Sequence, residues 1–177
     1  NPCRNCYIRY CSVDNKYPLR PMQEEKSLSH PMYPRCDINE ADAVAWVAFD
    51  SKSDLEIYPC KFPKLQDDQV RVKILYSSIC HSDISTIRGH WGNNTYPCCA
   101  GHEIVGEVAI VGKDVTSLKT GDVVGVSPIR WCCMKCETCL IGRTNICKER
   151  VFLYGADHFG GFCTHVQTNH QWVWPIP

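Results

Sequence analysis

The amino-acid sequence predicts a mainly β domain, a barrel or sandwich of short strands with short helices and a zinc-bound, cysteine-rich lobe. Three observations predict it: short apolar runs of β type, Gly- and Asp-containing turns between them, and four cysteines spaced as zinc ligands. Hydrophobic residues make up 44% of the 177 positions, which is enough for a core.

Predicted strands begin near residue 43 and continue to the end of the sequence. Apolar and polar residues alternate strictly over residues 70–74, which is typical of a half-buried strand. Turn residues at 112–114 and 120–122 separate later strands. The other strand-like runs cover residues 43–49, 104–111, 123–126, 162–166 and 172–174.

One helix is predicted, from His81 to Arg88. Ile84 and Ile87 stand three residues apart, as they would on one face of a helix. Ser82 or Asp83 can accept hydrogen bonds from the amides at its start.

Residues 1–40 are predicted to be an irregular extension, and residues 41–177 to be the folded domain. The extension contains five prolines and no sustained helical or alternating pattern. Its cysteines could form a second zinc site, although their loose spacing favours free thiols or a disulfide. They are Cys3, Cys6, Cys11 and Cys36.

Composition excludes several classes of partner. Nineteen basic residues balance nineteen acidic ones, so no charge excess attracts the chain to nucleic acid or anionic lipid. The longest apolar runs, such as residues 43–49, fall far short of the ~20 residues that a membrane span needs. The sequence starts at Asn1 without a readable targeting signal. Thiolate ligation of zinc favours a reducing, intracellular compartment.

The lobe at residues 131–148 contains the strongest motif. Cys133, Cys136 and Cys139 are separated by two-residue gaps, and Cys147 follows after seven residues, which suits tetrahedral zinc. Four thiolates would leave no open position, so this zinc would be structural. The alternative is a disulfide framework, because the chain has fourteen cysteines.

A second group of candidate ligands lies at the ends of predicted strands. Cys80 opens Cys-His-Ser-Asp, and His102 stands in Gly-His-Glu. A thiolate and an imidazole from separate elements can hold zinc while leaving a position for water or substrate. The alternative is that Cys80 is a small buried apolar residue and His102 a hydrogen-bonded core histidine.

The order of the motifs resembles zinc-dependent medium-chain alcohol dehydrogenases over roughly residues 43–177. The Cys132-Cys133 doublet and the segment 90–92 are most like the cinnamyl alcohol dehydrogenase branch. The resemblance implies a GroES-like, partly open barrel with the zinc lobe at residues 131–148. The motifs are Cys80-His81-Ser82-Asp83, Tyr96-Pro97, the run from Gly101 to Gly106, Val111-Gly112, Gly121-Asp122, the four cysteines and Phe159-Gly160-Gly161-Phe162.

For the metal, the resemblance implies that Cys80 and His102 are ligands of a catalytic zinc. Glu103 would enter its coordination during water exchange. Asp83 would accept a hydrogen bond from the His102 ring and so fix the tautomer that faces the metal.

For substrate and cofactor, the resemblance implies three further roles. Ser82 would hydrogen-bond the alcohol and relay its proton. His81 would face the cofactor pyrophosphate, and Ile129 would line the substrate pocket.

The sequence departs from the resembled family in four respects. Ser85 stands where many relatives have a relay histidine, and Ala100 where this branch has proline. The family's remaining catalytic-zinc cysteine would lie beyond Ile176-Pro177, and Cys163 is not in a position to replace it. No Gly-x-Gly-x-x-Gly unit occurs in the sequence, so we expect no Rossmann domain in it.

We therefore expect an incomplete catalytic domain of an alcohol dehydrogenase, inactive alone, from an enzyme that interconverts small alcohols and aldehydes with NADP(H) or NAD(H). A homodimer is compatible with this reading. The alternative is a non-catalytic accessory or structural subunit that docks into a larger assembly through its extension. A zinc-ribbon-like nucleic-acid binder is disfavoured by the zero net charge.

Overall fold

The computed structural model describes residues 29–92, 94–155 and 157–177. The mainly β prediction is confirmed. The described helices are α1 (His81–Ile87), α2 (Glu137–Leu140) and two 3-10 turns, Thr144–Ile146 and His170–Trp172. The strands are β1 (Ala43–Val47), β2 (Glu56–Cys60), β3 (Gln69–Ser77), β4 (Ile104–Val111), β5 (Val123–Val126), β6 (Ile129–Trp131), β7 (Val151–Phe152), β8 (His165–Asn169) and β9 (Val173–Pro175).

The described strands form three antiparallel sheets and do not close into a continuous barrel. The largest sheet has the order β8-β3-β4-β5-β9, and the pairs β1-β2 and β6-β7 are separate. The long strands β3 and β4 pair from Val70 opposite Val111 to Ser77 opposite Ile104. Cys80 follows β3, and His102 precedes β4. This pairing therefore brings the two candidate zinc-ligand segments to one end of the sheet.

The two larger apolar cores of the described chain belong to different sheets. The inward residues of β3 and β4, including Val70, Val72 and Val108, are fully buried in the core of the five-stranded sheet. The other core lies around β1 and β2 and includes Tyr58 and Phe159. Gly106 on β4 faces the backbone of β3 so closely that an added Cβ would collide with the Lys73 carbonyl.

Part of the predicted extension packs on the domain. His30 and Tyr33 are each 1% exposed, and the Tyr33 ring stacks on Phe159 with centroids 4.5 Å apart and planes at 9°. The Tyr58 hydroxyl accepts from the His30 amide at 2.9 Å and donates to the Tyr33 carbonyl at 3.0 Å. We call residues 29–36 the strap. Residues 1–28 lie outside the described part.

The predicted and observed strands and helix differ where the alternation of apolar and polar residues is weak or where an element ends. Strand β2 was not predicted, because it contains Pro59 and lacks alternation; it pairs along its whole length with β1. The helix α1 ends at Ile87, with Arg88 as its C-cap. The strand predicted at 162–166 begins later, at His165, because its pairing with β3 starts opposite Lys73.

We expect Gly106→Ala to lower the free energy of unfolding by about 1–3 kcal/mol, because the added methyl group overpacks the β3-β4 interface. Gly125→Ala on β5 is the matched control. Its Cβ would meet the Ile176 side chain at an ordinary 3.6 Å. Urea unfolding of both variants measures the difference. Equal stability of the two variants would contradict this packing.

We expect acid to destabilise the domain through His30. Burial lowers the pKa of His30 from 6.5 to about 4, so the unfolded chain takes up the proton first as pH falls. Stability is full above pH ~6.5 and falls by about 1.4 kcal/mol per pH unit towards pH ~4 for this one proton. Unfolding curves of His30→Asn, measured between pH 4 and pH 7, should have a shallower pH slope than those of the wild type; an unchanged slope would contradict this role of His30.

Candidate metal and active site

The structure brings the four cysteines of the lobe together. Their sulfur atoms all lie within 4.8 Å of one another, and the separations Cys133–Cys147, Cys133–Cys139 and Cys136–Cys147 are 3.6, 3.9 and 3.9 Å. Four sulfurs at 2.3 Å from one zinc would stand about 3.8 Å apart at tetrahedral angles. A disulfide would need about 2.05 Å. The donor set therefore fits one zinc ion and not a pair of disulfides.

Hydrogen bonds in the lobe favour the thiolate of Cys136, whereas burial raises the pKa of Cys139 to about 12. The Thr138 hydroxyl, 3.1 Å from Cys136 Sγ, and the Cys139 amide lower the pKa of Cys136 to about 6. Cys132 is buried beside the group but donates to the Thr144 carbonyl at 3.3 Å. Of the two adjacent cysteines, Cys133 is thus a candidate zinc ligand, whereas Cys132 is hydrogen-bonded to the Thr144 carbonyl.

The second predicted group is also assembled. Ligand atoms of Cys80, His102 and Glu103 lie within 4.8 Å of one another, a spacing that one zinc ion can bridge. Cys80 caps the start of α1, and His102 and Glu103 lie immediately before β4. The Glu103 carboxylate also accepts a hydrogen bond from Ser78. Three donors leave a tetrahedral ion one open position.

Asp83 connects the two ligand-bearing segments. Its side chain is 1% exposed, and its carboxylate accepts from the Cys80 amide, the Gly101 amide and the His102 ring Nδ1, each at 2.9 Å. The hydrogen bond to Asp83 raises the pKa of His102 above its usual value. Because Nδ1 is held by the carboxylate, Nε2 of His102 is the nitrogen left to face a metal.

Backbone packing around glycine places the His102 turn. Gly101 has a φ of +99°, and an added Cβ would lie 2.7 Å from the Phe162 nitrogen. The Gly161 amide donates to the Gly101 carbonyl at 2.7 Å, and the Phe162 amide donates to the Ala100 carbonyl at 2.8 Å. The Gly160-Gly161 pair is needed because the two backbones touch.

Ser82 stands between the two zinc-ligand candidates. Its Oγ donates to Cys80 Sγ at 3.1 Å and lies 3.5 Å from His102 Nε2. Ser82 also lines a cavity of about 610 Å³. The hydrogen bond from Ser82 lowers the pKa of Cys80. A small molecule in this cavity would therefore reach the Ser82 hydroxyl next to the metal-ligand candidates.

Sequence reasoning missed the ring that covers His102. Tyr154 stacks on the His102 imidazole with centroids 5.2 Å apart and planes at 28°, and it also lines the cavity. Thr86, Trp91 and Phe152 line the same cavity. The sequence offered little indication that these aromatic residues would line the cavity, because Tyr154 and Phe152 stand in a segment without helical or strand periodicity.

Other predicted residues lie outside this arrangement. His81 is exposed on α1, and its cofactor role stays a prediction. Ile129 packs with Trp172 against the cysteine lobe and is not among the residues that line the cavity. Cys163 is fully buried in the core around β1 and belongs to neither metal group of the described chain. Among the extension cysteines, only Cys36 is described, as a free thiol.

No helix within the described ranges is long and apolar enough to cross a bilayer.

Cinnamyl alcohol dehydrogenases are among the proteins that this chain resembles. Cinnamyl alcohol dehydrogenase 3 of Arabidopsis thaliana is 38% identical over 146 residues, which is 79% of this chain and 39% of that protein. Probable cinnamyl alcohol dehydrogenase 3 of Oryza sativa is 39% identical over 144 residues, or 78% of this chain and 39% of that protein. The chain thus spans about two fifths of the length of the curated relatives it matches.

Solved structures agree with these relatives. A cinnamyl alcohol dehydrogenase from Sorghum bicolor has a TM-score of 0.72 and 36% identity over 76% of this chain and 40% of that one. The protein called CAD from Helicobacter pylori, solved with NADP(H), has a TM-score of 0.73 and 29% identity over 76% of this chain and 41% of that one. The expected GroES-like fold is confirmed.

The family of alcohol dehydrogenase GroES-like domains matches residues 66–177. This range contains both candidate metal groups, Asp83, and the glycines that hold the His102 turn. The chain belongs to the alcohol dehydrogenase GroES-like domain family.

Proposed function

We propose that this chain is the zinc-binding catalytic domain of an alcohol dehydrogenase that interconverts small alcohols and aldehydes with NADP(H) or NAD(H). The observation that carries the proposal is the Ser82 hydroxyl, which lies 3.1 Å from Cys80 Sγ and 3.5 Å from His102 Nε2 at the wall of a cavity. The similarity to cinnamyl alcohol dehydrogenases supports it. Its zinc-binding thiolates suit a reducing, intracellular compartment.

In this proposal, different residues bind the metal, accept the proton and position the ligands. Cys80 and His102 would hold a zinc ion, with Glu103 as a further donor. When bound, zinc polarises an alcohol oxygen and makes its proton more acidic. Ser82 is placed to accept that proton through its hydroxyl. Asp83 holds the Cys80 amide and the His102 ring in place and does not itself touch the substrate.

In our proposal, the alcohol proton passes from Ser82 to solvent along hydroxyl groups at the wall of the cavity. Ser85 offers no imidazole, so no group of that kind follows Ser82 on α1. The cavity next to Ser82 is lined by Thr86 and Tyr154, which leaves hydroxyl groups and water to carry the proton outward. The sequence has no Gly-x-Gly-x-x-Gly unit, so it provides no nicotinamide site of the Rossmann type.

The four cysteines of the lobe would hold a second, structural zinc. We expect about one zinc per chain to be held tightly by them, and the ion at Cys80 and His102 to be held more weakly because it has fewer thiolates. Cys133→Ser should lose the tight zinc and loosen the lobe. Cys132→Ser, the adjacent control, should keep it, because Cys132 donates to a carbonyl.

Elemental analysis after dialysis against a weak chelator measures both variants. Loss of the tight zinc in Cys132→Ser to the same extent as in Cys133→Ser would contradict the assignment of ligands.

The catalytic role is tested by Ser82→Ala in the longest natural protein that contains this chain. We expect kcat/KM for aldehyde reduction with NADPH or NADH to fall about 100-fold or more, because an acid–base hydroxyl is removed. Zinc content should not change. Ser85→Ala, on the same helix, is the control and should retain activity.

Steady-state rates with cinnamaldehyde and shorter aldehydes make the comparison. A protein that holds both zinc ions but turns over no alcohol or aldehyde with either nucleotide would refute the enzyme proposal and favour an accessory role.

A further inference from the structure

Ser78 joins the two segments that carry the candidate ligands of the catalytic zinc. It directly follows β3 and stands two positions before Cys80. Its amide donates to the Glu103 carbonyl at 3.1 Å, and its hydroxyl donates to a carboxylate oxygen of Glu103. The backbone and the side chain of Ser78 therefore hold the same residue.

Glu103 is the least restrained of the three candidate ligands of this site. Cys80 is fixed at the start of α1, and the His102 ring is held at Nδ1 by Asp83. The Glu103 side chain is exposed, and fixing a glutamate side chain in one rotamer costs conformational entropy. Among the described residues, Ser78 is the one that hydrogen-bonds its carboxylate. Without Ser78, this side chain would be free to turn into solvent.

The hydrogen bond from Ser78 leaves the Glu103 carboxylate able to bind a metal ion. A carboxylate offers about four acceptor positions on its two oxygens, and Ser78 occupies one of them. One carboxylate oxygen of Glu103 lies within 4.8 Å of both Cys80 Sγ and a ring nitrogen of His102. These three donors can therefore share one zinc ion while Ser78 stays in place.

The sheet fixes the direction in which Ser78 points. Ser77 pairs with Ile104 at the end of the β3-β4 ladder, and the Ser78 amide adds one more hydrogen bond to it. Successive side chains along a strand point to opposite faces. Ser77 is 1% exposed, and its Oγ has no hydrogen-bond partner in the described part of the chain. Of the two adjacent serines, Ser78 is therefore the one that reaches Glu103.

We propose that Ser78 is a positioning residue of the catalytic zinc site, whose hydroxyl holds the Glu103 carboxylate beside Cys80 and His102 and so keeps it available as a third ligand. Ser78 acts through Glu103 and does not bind the metal. Because the carboxylate is already held, less conformational entropy is lost when the metal binds. The inference deepens the proposed function and rests on it in one respect: a zinc ion must bind at Cys80 and His102.

Cobalt titration tests this role, because Co²⁺ can replace zinc and a cobalt–thiolate bond absorbs in the near ultraviolet. The chain keeps the zinc of its cysteine lobe, and a weak chelator empties the second site before the titration. We expect Ser78→Ala to weaken cobalt binding about 10-fold or more, as loss of a group that orients a ligand does in known metal sites. Its visible cobalt spectrum should also change, because water replaces a carboxylate oxygen.

Two further variants separate the hydroxyl group from general effects on the fold. Ser78→Thr keeps the hydroxyl and should restore most of the affinity and the wild-type cobalt spectrum. Ser77→Ala removes a neighbouring hydroxyl that does not reach Glu103, and it should bind cobalt as the wild type does. Unchanged affinity in Ser78→Ala, or an equal loss in Ser77→Ala, would overturn the proposal.

A double-mutant cycle shows whether Ser78 acts through Glu103. We expect Ser78→Ala to have no further effect on cobalt affinity in a chain that already carries Glu103→Ala. An equal loss in both backgrounds would overturn the proposal, because Ser78 would then act on the site by another route.

The cobalt–thiolate band distinguishes failure of this inference from failure of the proposed function. Cys80→Ser should abolish the band, which assigns it to this site. Absence of the band in the wild type would refute the proposed catalytic zinc site and, with it, the role of Ser78. A wild-type band that Ser78→Ala leaves unchanged in position and affinity would refute the positioning role alone.

Discussion

The buried carboxylate of Asp83 is the interaction on which the site depends. It accepts hydrogen bonds from the Cys80 amide, the Gly101 amide and the His102 ring. These groups belong to two segments that approach only because β3 pairs with β4. A buried carboxylate without partners would be costly, so each partner is as necessary to Asp83 as Asp83 is to them. The same three hydrogen bonds therefore compensate the buried charge of Asp83 and hold Cys80 and His102 in position.

The strap, the glycine pair and the His102 turn form one continuous packing unit. Tyr33 of the strap stacks on Phe159. Phe159 precedes Gly160 and Gly161, whose backbone hydrogen-bonds the segment before His102. Residues far outside the metal groups can thus affect how His102 is held. The boundary predicted at residue 40 marks a change in amino-acid composition. The strap lies before this boundary and nevertheless packs against the domain.

The cysteine lobe is organised differently from the sheet. Its large apolar side chains are mostly in solvent: Leu140 is 73% and Ile141 62% exposed. Few buried apolar contacts remain to order it, apart from the contact of Ile129 and Trp172 with the cysteines. In the proposed zinc-bound state, the four thiolates would supply the stabilisation that so small a core does not, because structural zinc can contribute as much free energy as a small core. The proposed zinc would therefore order the lobe, whereas buried apolar residues order the sheet.

The sequence by itself determined the features that depend on near neighbours. The strict alternation of β3, the start of α1 and the cysteine spacing of the lobe all follow from residues a few positions apart, and the family motifs identified Cys80 and His102 as a pair. Only the tertiary structure decided the rest: the stacking of Tyr154 on His102, the three hydrogen bonds of Asp83, the burial of His30, and the hydrogen bond from Ser78 to Glu103. These contacts join residues far apart in the chain. Periodicity and spacing report which face of an element is apolar, whereas the packing of distant backbones decides which side chains meet.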